Sequence, residues 1–126
     1  MLDLVSSQNS KHVKTEFFSI LPQHNIVTVD LFGTWNEQQT LEFVFEFKRI
    51  VHRYFTQEWA CIVNLQHLDM LLPETFQIET FKSLNSWSYI KGMKAISVVV
   101  SHRNRGHLLY QFDILLYEYN QLKAQK

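Results

Sequence analysis

Two apolar runs of strand length constrain the fold of this chain more than any other feature. The first spans Trp59 to Leu65 and the second spans Ala95 to Val100. A nearly continuous apolar run of this kind is typical of a central strand that is covered on both faces. A helix-length segment separates the two runs, so a helical crossover connects them. We therefore expect the two strands to be parallel in one sheet, with a right-handed connection.

A first helix is predicted before these runs, over residues 37–55. Asn36 is a good N-cap and Gln39 follows three residues later, which is the pattern of a capping box. Apolar residues at helical spacing mark a buried face. Further apolar residues lie outside that face, namely Leu41, Val44, Phe45 and Phe55. We therefore expect the helix either to be deeply buried or to meet a partner with part of its surface.

Two more helices are predicted after the first apolar run. Residues 66–72 are expected to form a loop, and Pro73 suits the first turn of a second helix that ends near Lys91. The third helix is predicted from His107 to about Gln125.

The N-terminal part predicts an antiparallel hairpin. Residues 1–13 form a polar lead-in, and residues 15–21 are expected to form the first strand. Residues 22–25 are expected to form a turn. Residues 26–32 alternate between apolar and polar side chains, which indicates a strand with one wetter face. The short connection favours antiparallel pairing.

These elements predict a single α/β domain over residues 1–126, with an ordered core at about 15–125. Their order is β-β-α-β-α-β-α, in a four-stranded mixed sheet that starts with the antiparallel hairpin and continues with parallel strands. Only 3 Gly and 2 Pro occur, which favours regular structure joined by short loops.

Charge and composition narrow the partners. Twelve basic residues balance 12 acidic ones, and a nucleic-acid binder would need a positive field, so no nucleic acid is expected. The zero net charge also favours a homodimer, because repulsion between copies is weak. No apolar run approaches the roughly 18 residues of a membrane span. With no signal-peptide core and only one cysteine, Cys61, the cytoplasm is the expected location.

Motifs for catalysis and cofactors are missing from the sequence. There is no Gly-rich nucleotide loop, no paired metal-binding cysteines and no nucleophile elbow, so no catalytic residue, cofactor or metal is predicted. A metal site built from His67, Asp69 and His102 is conceivable at the carboxyl edge of the parallel strands. Solvated histidines are the favoured alternative. Cys61 is expected to be a buried, inert thiol.

The same edge supplies the candidate ligand-binding residues. His102, Arg103, Arg105 and His107 lie in or beside the loop before the last helix, where arginine forks and helix N–H groups favour anions. A solvated loop is the alternative.

Four further residues are expected in neighbouring loops at that edge. Trp35, Gln66, His67 and Asp69 could line a shallow pocket beside the loop. For Trp35, packing in the core is the favoured alternative.

The chain resembles the SpoIIAA-like branch of the STAS superfamily, which are relatives of anti-sigma-factor antagonists. The resemblance covers residues 15–125 and rests on the element order, on Val29 to Trp35 and on Trp59 to Leu65. Regulatory members carry a phosphorylated hydroxyl after the central strand. The matching stretch here is Asp69-Met70-Leu71-Leu72, which has no hydroxyl. The resemblance therefore implies the fold without the phosphorylation switch.

Three hypotheses for function remain open at this point. The first is a non-catalytic interaction or regulatory module that self-associates, with an unidentified protein partner. The second is a carrier or sensor of a small anionic, amphipathic or lipid-like ligand, held in an apolar cavity. The third and least favoured is an enzyme that uses His67 or His102 in acid–base chemistry.

Overall fold

A computed structural model describes residues 11–101 and 107–125. Five strands lie within these ranges: β1 (Val13–Lys14), β2 (Phe18–Gln23), β3 (Ile26–Trp35), β4 (Trp59–Leu71) and β5 (Met93–Val99). Three helices accompany them: α1 (Glu37–Tyr54), α2 (Glu74–Ile90) and α3 (His107–Ala124).

The strands form one mixed sheet in the order β1-β2-β3-β4-β5. β2 pairs antiparallel with β1 and β3, and β4 pairs parallel with β3 and β5. The predicted α/β class and the parallel arrangement of the last three strands are confirmed. The predicted number of four strands is wrong, because β1 is a fifth strand. Its residue Val13 falls within the expected lead-in and pairs with Ile20 of β2. Two residues are too short a strand to produce a recognisable alternation.

The hairpin differs from its prediction in the bounds of its first strand and of its turn. β2 begins at Phe18 and continues through Pro22, which pairs with Val27, so the turn shrinks to His24 and Asn25. His24 adopts a positive φ of 57°, which a tight connection between strands requires. Proline is tolerated here because β1 pairs only with Ser19 and Ile20, which leaves β2 without a described neighbour on that side at residue 22.

β4 is longer than the apolar run that predicts it. The predicted loop at residues 66–72 is wrong, since strand pairing continues to Leu71, which lies opposite Trp35 of β3. Two register shifts interrupt this extension, between Asp30 and Phe32 and between Gly33 and Thr34. Such shifts explain why the polar residues of the extension break the alternation that a regular strand would show.

α1 begins as the sequence predicts. The Asn36 side-chain oxygen accepts hydrogen bonds from the backbone N–H of Gln38 (2.9 Å) and Gln39 (3.4 Å). The Gln39 side-chain oxygen accepts one from the Asn36 N–H at 2.9 Å, which completes the capping box. The buried face of the helix consists of Thr40, Phe43, Phe47, Ile50 and Val51.

The core lies between one face of the sheet and the three helices. Alternate residues of β4 are buried from Trp59 to Leu65, and the residues between them are half-exposed. Aromatic contacts join the helices to each other: Phe43 of α1 lies 6.2 Å from Phe81 of α2, which lies 6.0 Å from Phe112 of α3. The prediction that the central strands are covered on both faces thus holds only for one face within the described residues.

None of the helices in the described ranges is long and apolar enough to cross a membrane.

Candidate functional site

Trp35, the first of the predicted pocket residues, is part of the core. It ends β3 and is fully buried. Its indole N–H donates to the backbone oxygens of Phe17 (3.2 Å) and Phe32 (2.9 Å), and its ring packs against Phe18 and Phe43. Its hydrogen bonds and packing therefore fix the end of β3 against the core.

His67 and Asp69 lie on the extension of β4 and are exposed. The His67 ring stacks on Phe32, with centroids 6.1 Å apart and an interplanar angle of 25°. His67 is paired with Phe32 across the two strands. It is exposed, whereas Trp35 is buried in the core. Among the described residues, no group of three His, Cys, Asp or Glu side chains is placed to hold a metal ion.

The predicted anion-binding loop lies mostly outside the described residues. His102, Arg103 and Arg105 fall in the gap between residues 101 and 107. His107 is the first residue of α3, and its side chain is also outside the described part. The predicted grouping of these residues with His67 and Asp69 therefore stays a prediction.

The stretch that matches the phosphorylation site of the regulatory STAS proteins is mostly strand. Asp69 to Leu71 end β4, and Leu71 is buried opposite Trp35. Thr75 carries the first hydroxyl after the stretch, and it lies in the first turn of α2.

An exposed apolar surface lies on the outer side of α1. Leu41 and Phe45 are 55% and 65% exposed, although their neighbours Thr40, Phe43 and Phe47 are buried. The two residues are four apart, so their side chains are adjacent on the same side of the helix. The many apolar residues of α1 thus include both a buried face and this exposed pair.

A groove borders this pair, and we call it the α1–β1 groove. It has a volume of about 380 Å³ and is lined by Val13, Thr15, Phe18, Leu41, Glu42, Phe45 and Glu46. β1 and the turn after it form one wall, and α1 forms the other. The position of β1 as the first strand of the described sheet leaves this wall accessible.

The charges at the groove come from α1. Glu46 forms an ion pair with Arg49, with 2.7 Å between the Glu46 oxygen and the guanidinium nitrogen. Glu42 is exposed on the same side of the helix. Because the carboxylates lie beside apolar side chains, the groove combines an apolar floor with a polar margin, as interaction surfaces commonly do.

A smaller cavity lies inside the protein, between the sheet and the helices. Its volume is about 50 Å³, and Cys61 lies on its wall together with apolar residues of all three helices. Burial raises the pKa of the Cys61 thiol to about 12, so the thiol stays protonated at neutral pH. The predicted buried and inert thiol is confirmed in its burial.

The sequence indicates that α1 is either deeply buried or partly available to a partner, and it does not distinguish between these two possibilities. The signal was the number of apolar residues outside the Phe43–Phe47 face. The α1–β1 groove itself carried no signal, because β1 is too short to be recognised and its position beside α1 depends on the pairing of distant residues.

Comparison with known proteins adds little to this description. No protein-family model matches the sequence, and no curated protein matches it. A solved structure described as "Crystal Structure Analysis of Mglu" is similar, with a TM-score of 0.42 and 14% sequence identity. The similarity covers 68% of this chain and 19% of that chain, so this chain spans about a fifth of the other protein's length. A likeness this weak does not indicate a family.

Proposed function

We propose that this protein is a non-catalytic interaction module that self-associates through the α1–β1 groove. The observation that carries the proposal is the exposure of Leu41 and Phe45 side by side on α1. Single exposed apolar residues are common on protein surfaces and need no explanation. An adjacent pair that borders an apolar groove is typical of a surface that a partner covers.

A second copy of this chain is the partner that best fits the groove. In a two-fold symmetric dimer, the Phe45 ring of one protomer can enter the α1–β1 groove of the other, and the reverse contact follows by symmetry. The chain has 12 basic and 12 acidic residues, so net repulsion between copies is weak. Covering two large apolar side chains on each protomer then favours association, because it removes apolar surface from water.

The resemblance to the SpoIIAA-like branch supports a regulatory role of this kind without phosphorylation. Residues 69–72 carry no hydroxyl that a kinase could modify. Binding in such a module depends on the surface itself and on protein concentration.

Light scattering coupled to size exclusion tests the proposal. We expect the wild-type protein to be a dimer at high micromolar concentration, and Phe45→Ser to weaken dimerisation at least tenfold. Tyr117→Ser is the matched control, because Tyr117 is an aromatic residue with 67% exposure on α3, away from the groove. A wild-type protein that stays monomeric at millimolar concentration would overturn the proposal, as would equal weakening by the two variants.

A further inference from the structure

The cavity inside the protein is an apolar slot between the sheet and the three helices, and Phe43 and Phe47 are the residues of α1 that line it. β4 and β5 contribute Val63, Ile96 and Val98 to one wall, and Leu84 of α2 with Phe112 and Leu116 of α3 form the opposite wall. Among the residues that the structure describes, no charged side chain lines the slot, and the polar ones other than Cys61 are Asn85 and Ser88. The slot therefore suits an uncharged apolar group.

The way α3 is fastened explains why the slot exists. The Tyr119 hydroxyl donates to the backbone oxygen of Met93 at 2.8 Å, and the Lys123 ammonium donates to the Lys94 oxygen at 3.2 Å. These contacts hold the C-terminal half of α3 against the start of β5. Towards the other end, the Gln111 side chain reaches the Leu71 oxygen of β4 at 3.4 Å. Between the two attachments, α3 spans the later part of β5 without a described hydrogen bond to it.

The dimensions of the slot favour a chain over a ring. Its lining residues extend from Met93 to Val98 along β5, which is about 16 Å at the usual rise per residue. Along α2 they extend from Phe81 to Ser88, which is about 10 Å. The walls enclose a volume of only about 50 Å³, which is small for their extent. In the same measure one water needs roughly 10–15 Å³, so the slot has room for a thin occupant only.

We propose that this slot is a binding site for one unbranched alkyl chain, such as the tail of a short amphiphile. The site is independent of the proposed dimerisation, because it lies behind the buried face of the helices and α1 presents Leu41 and Phe45 on its other side. Each methylene that enters the slot tightens binding about fourfold, until the slot is full.

Titration with 1-butanol, 1-hexanol and 1-octanol, followed by NMR of the methyl groups, measures this binding. We expect saturable shifts of the Ile96, Val98 and Leu116 methyl signals, with affinity rising about fourfold per methylene along the series. Val98→Ile adds a methylene to the slot wall and should weaken binding of 1-hexanol at least fivefold. Val99→Ile is the matched control, because Val99 pairs with Asn64 on the face of the sheet that no described helix covers, and it should change the affinity less than twofold.

Leu116→Ala provides a second variant that acts in the opposite direction. Removing this side chain widens the slot, so 1-octanol should bind more tightly than it binds the wild type. Cyclohexanol has as many carbons as 1-hexanol, and we expect it to bind at least tenfold more weakly. The absence of saturable shifts in the wild type would overturn the proposal, and so would equal binding by Val98→Ile and Val99→Ile. Equal binding of cyclohexanol and 1-hexanol would overturn the preference for a chain.

Discussion

Buried polar side chains tie α1 to the start of α2 at the scale of single residues. The Thr40 hydroxyl donates to the Gln77 side-chain oxygen at 2.6 Å, and the Gln77 side-chain N–H donates to the backbone oxygen of Leu72 at 2.9 Å. Both side chains are fully buried. A buried polar group that loses its partner is costly, so these two residues depend on each other.

Thr40→Val should reveal that dependence. The substitution keeps the shape of the side chain and leaves the Gln77 oxygen without its donor, so we expect a loss of about 1–3 kcal/mol in the free energy of unfolding. Urea denaturation measures it. Thr34→Val is the control, because Thr34 is exposed at the end of β3 and should cost less than about 0.5 kcal/mol. Similar losses in the two variants would contradict the role assigned to the Thr40–Gln77 hydrogen bond.

The Cys61 thiol should make the protein less stable at high pH. Burial raises its pKa from 9.0 to about 12, so the folded protein holds the thiol proton more tightly than the unfolded chain does. The protonated thiol therefore contributes fully to the free energy of unfolding below pH 9. This contribution is lost as the pH rises from 9 towards 12, at about 1.4 kcal/mol per pH unit.

Urea denaturation of the wild type and of Cys61→Ala at pH 8 and pH 10 isolates this effect. Burial is the main reason that the pKa of Tyr119 is raised, and the charges of Tyr89 and Cys61 contribute less. Both proteins keep Tyr119 and its burial, so the main part of this effect cancels. We expect the free energy of unfolding to fall between the two pH values by about 1 kcal/mol more in the wild type than in the variant. Equal decreases would show that the thiol is not buried as described.

At the scale of elements, the capping box decides where α1 begins. Asn36→Ala removes the acceptor of two backbone N–H groups and should cost about 1 kcal/mol in the free energy of unfolding. Gln38→Ala, two residues away with an exposed side chain, is the control and should be close to neutral. Chemical denaturation followed by circular dichroism distinguishes the two. An equal cost in both variants would mean that the cap does not stabilise the helix.

The elements that the sequence predicts well are those that short-range rules determine. The start of α1 follows from Asn36 and Gln39, and the core of β4 follows from an apolar run that only Asn64 interrupts. The extension of β4 through Gln66, His67 and Asp69 could not be predicted, because it exists only through pairing with the long strand β3. For the same reason the sequence could not reveal that α1 and β1 enclose a groove.

At the scale of the whole molecule, Tyr119 joins the last helix to the sheet. Its side chain is only 2% exposed, and its hydroxyl is bonded to Met93 at the start of β5. Tyr119→Phe removes this hydrogen bond and leaves the Met93 oxygen buried without its donor, so we expect a loss of about 1–2 kcal/mol in the free energy of unfolding. The substitution should also accelerate amide hydrogen exchange more in α3 than in α1.

Tyr117→Phe is the control for this change, since the exposed Tyr117 lies two residues earlier on the same helix. It should alter neither the stability nor the exchange rates. A uniform acceleration of exchange across all three helices in Tyr119→Phe would indicate that α3 unfolds only together with the rest of the protein, and not as a separate unit.

The position of Pro22 in β2 has a consequence for aggregation. Strand edges with free N–H groups recruit strands from other molecules, and β1 covers β2 only at Ser19 and Ile20 within the described residues. Proline has no N–H to offer, so at residue 22 a foreign strand would find one hydrogen-bond donor fewer. The short first strand and the proline together limit β2 as a template for fibril growth, although the strand is apolar along most of its length.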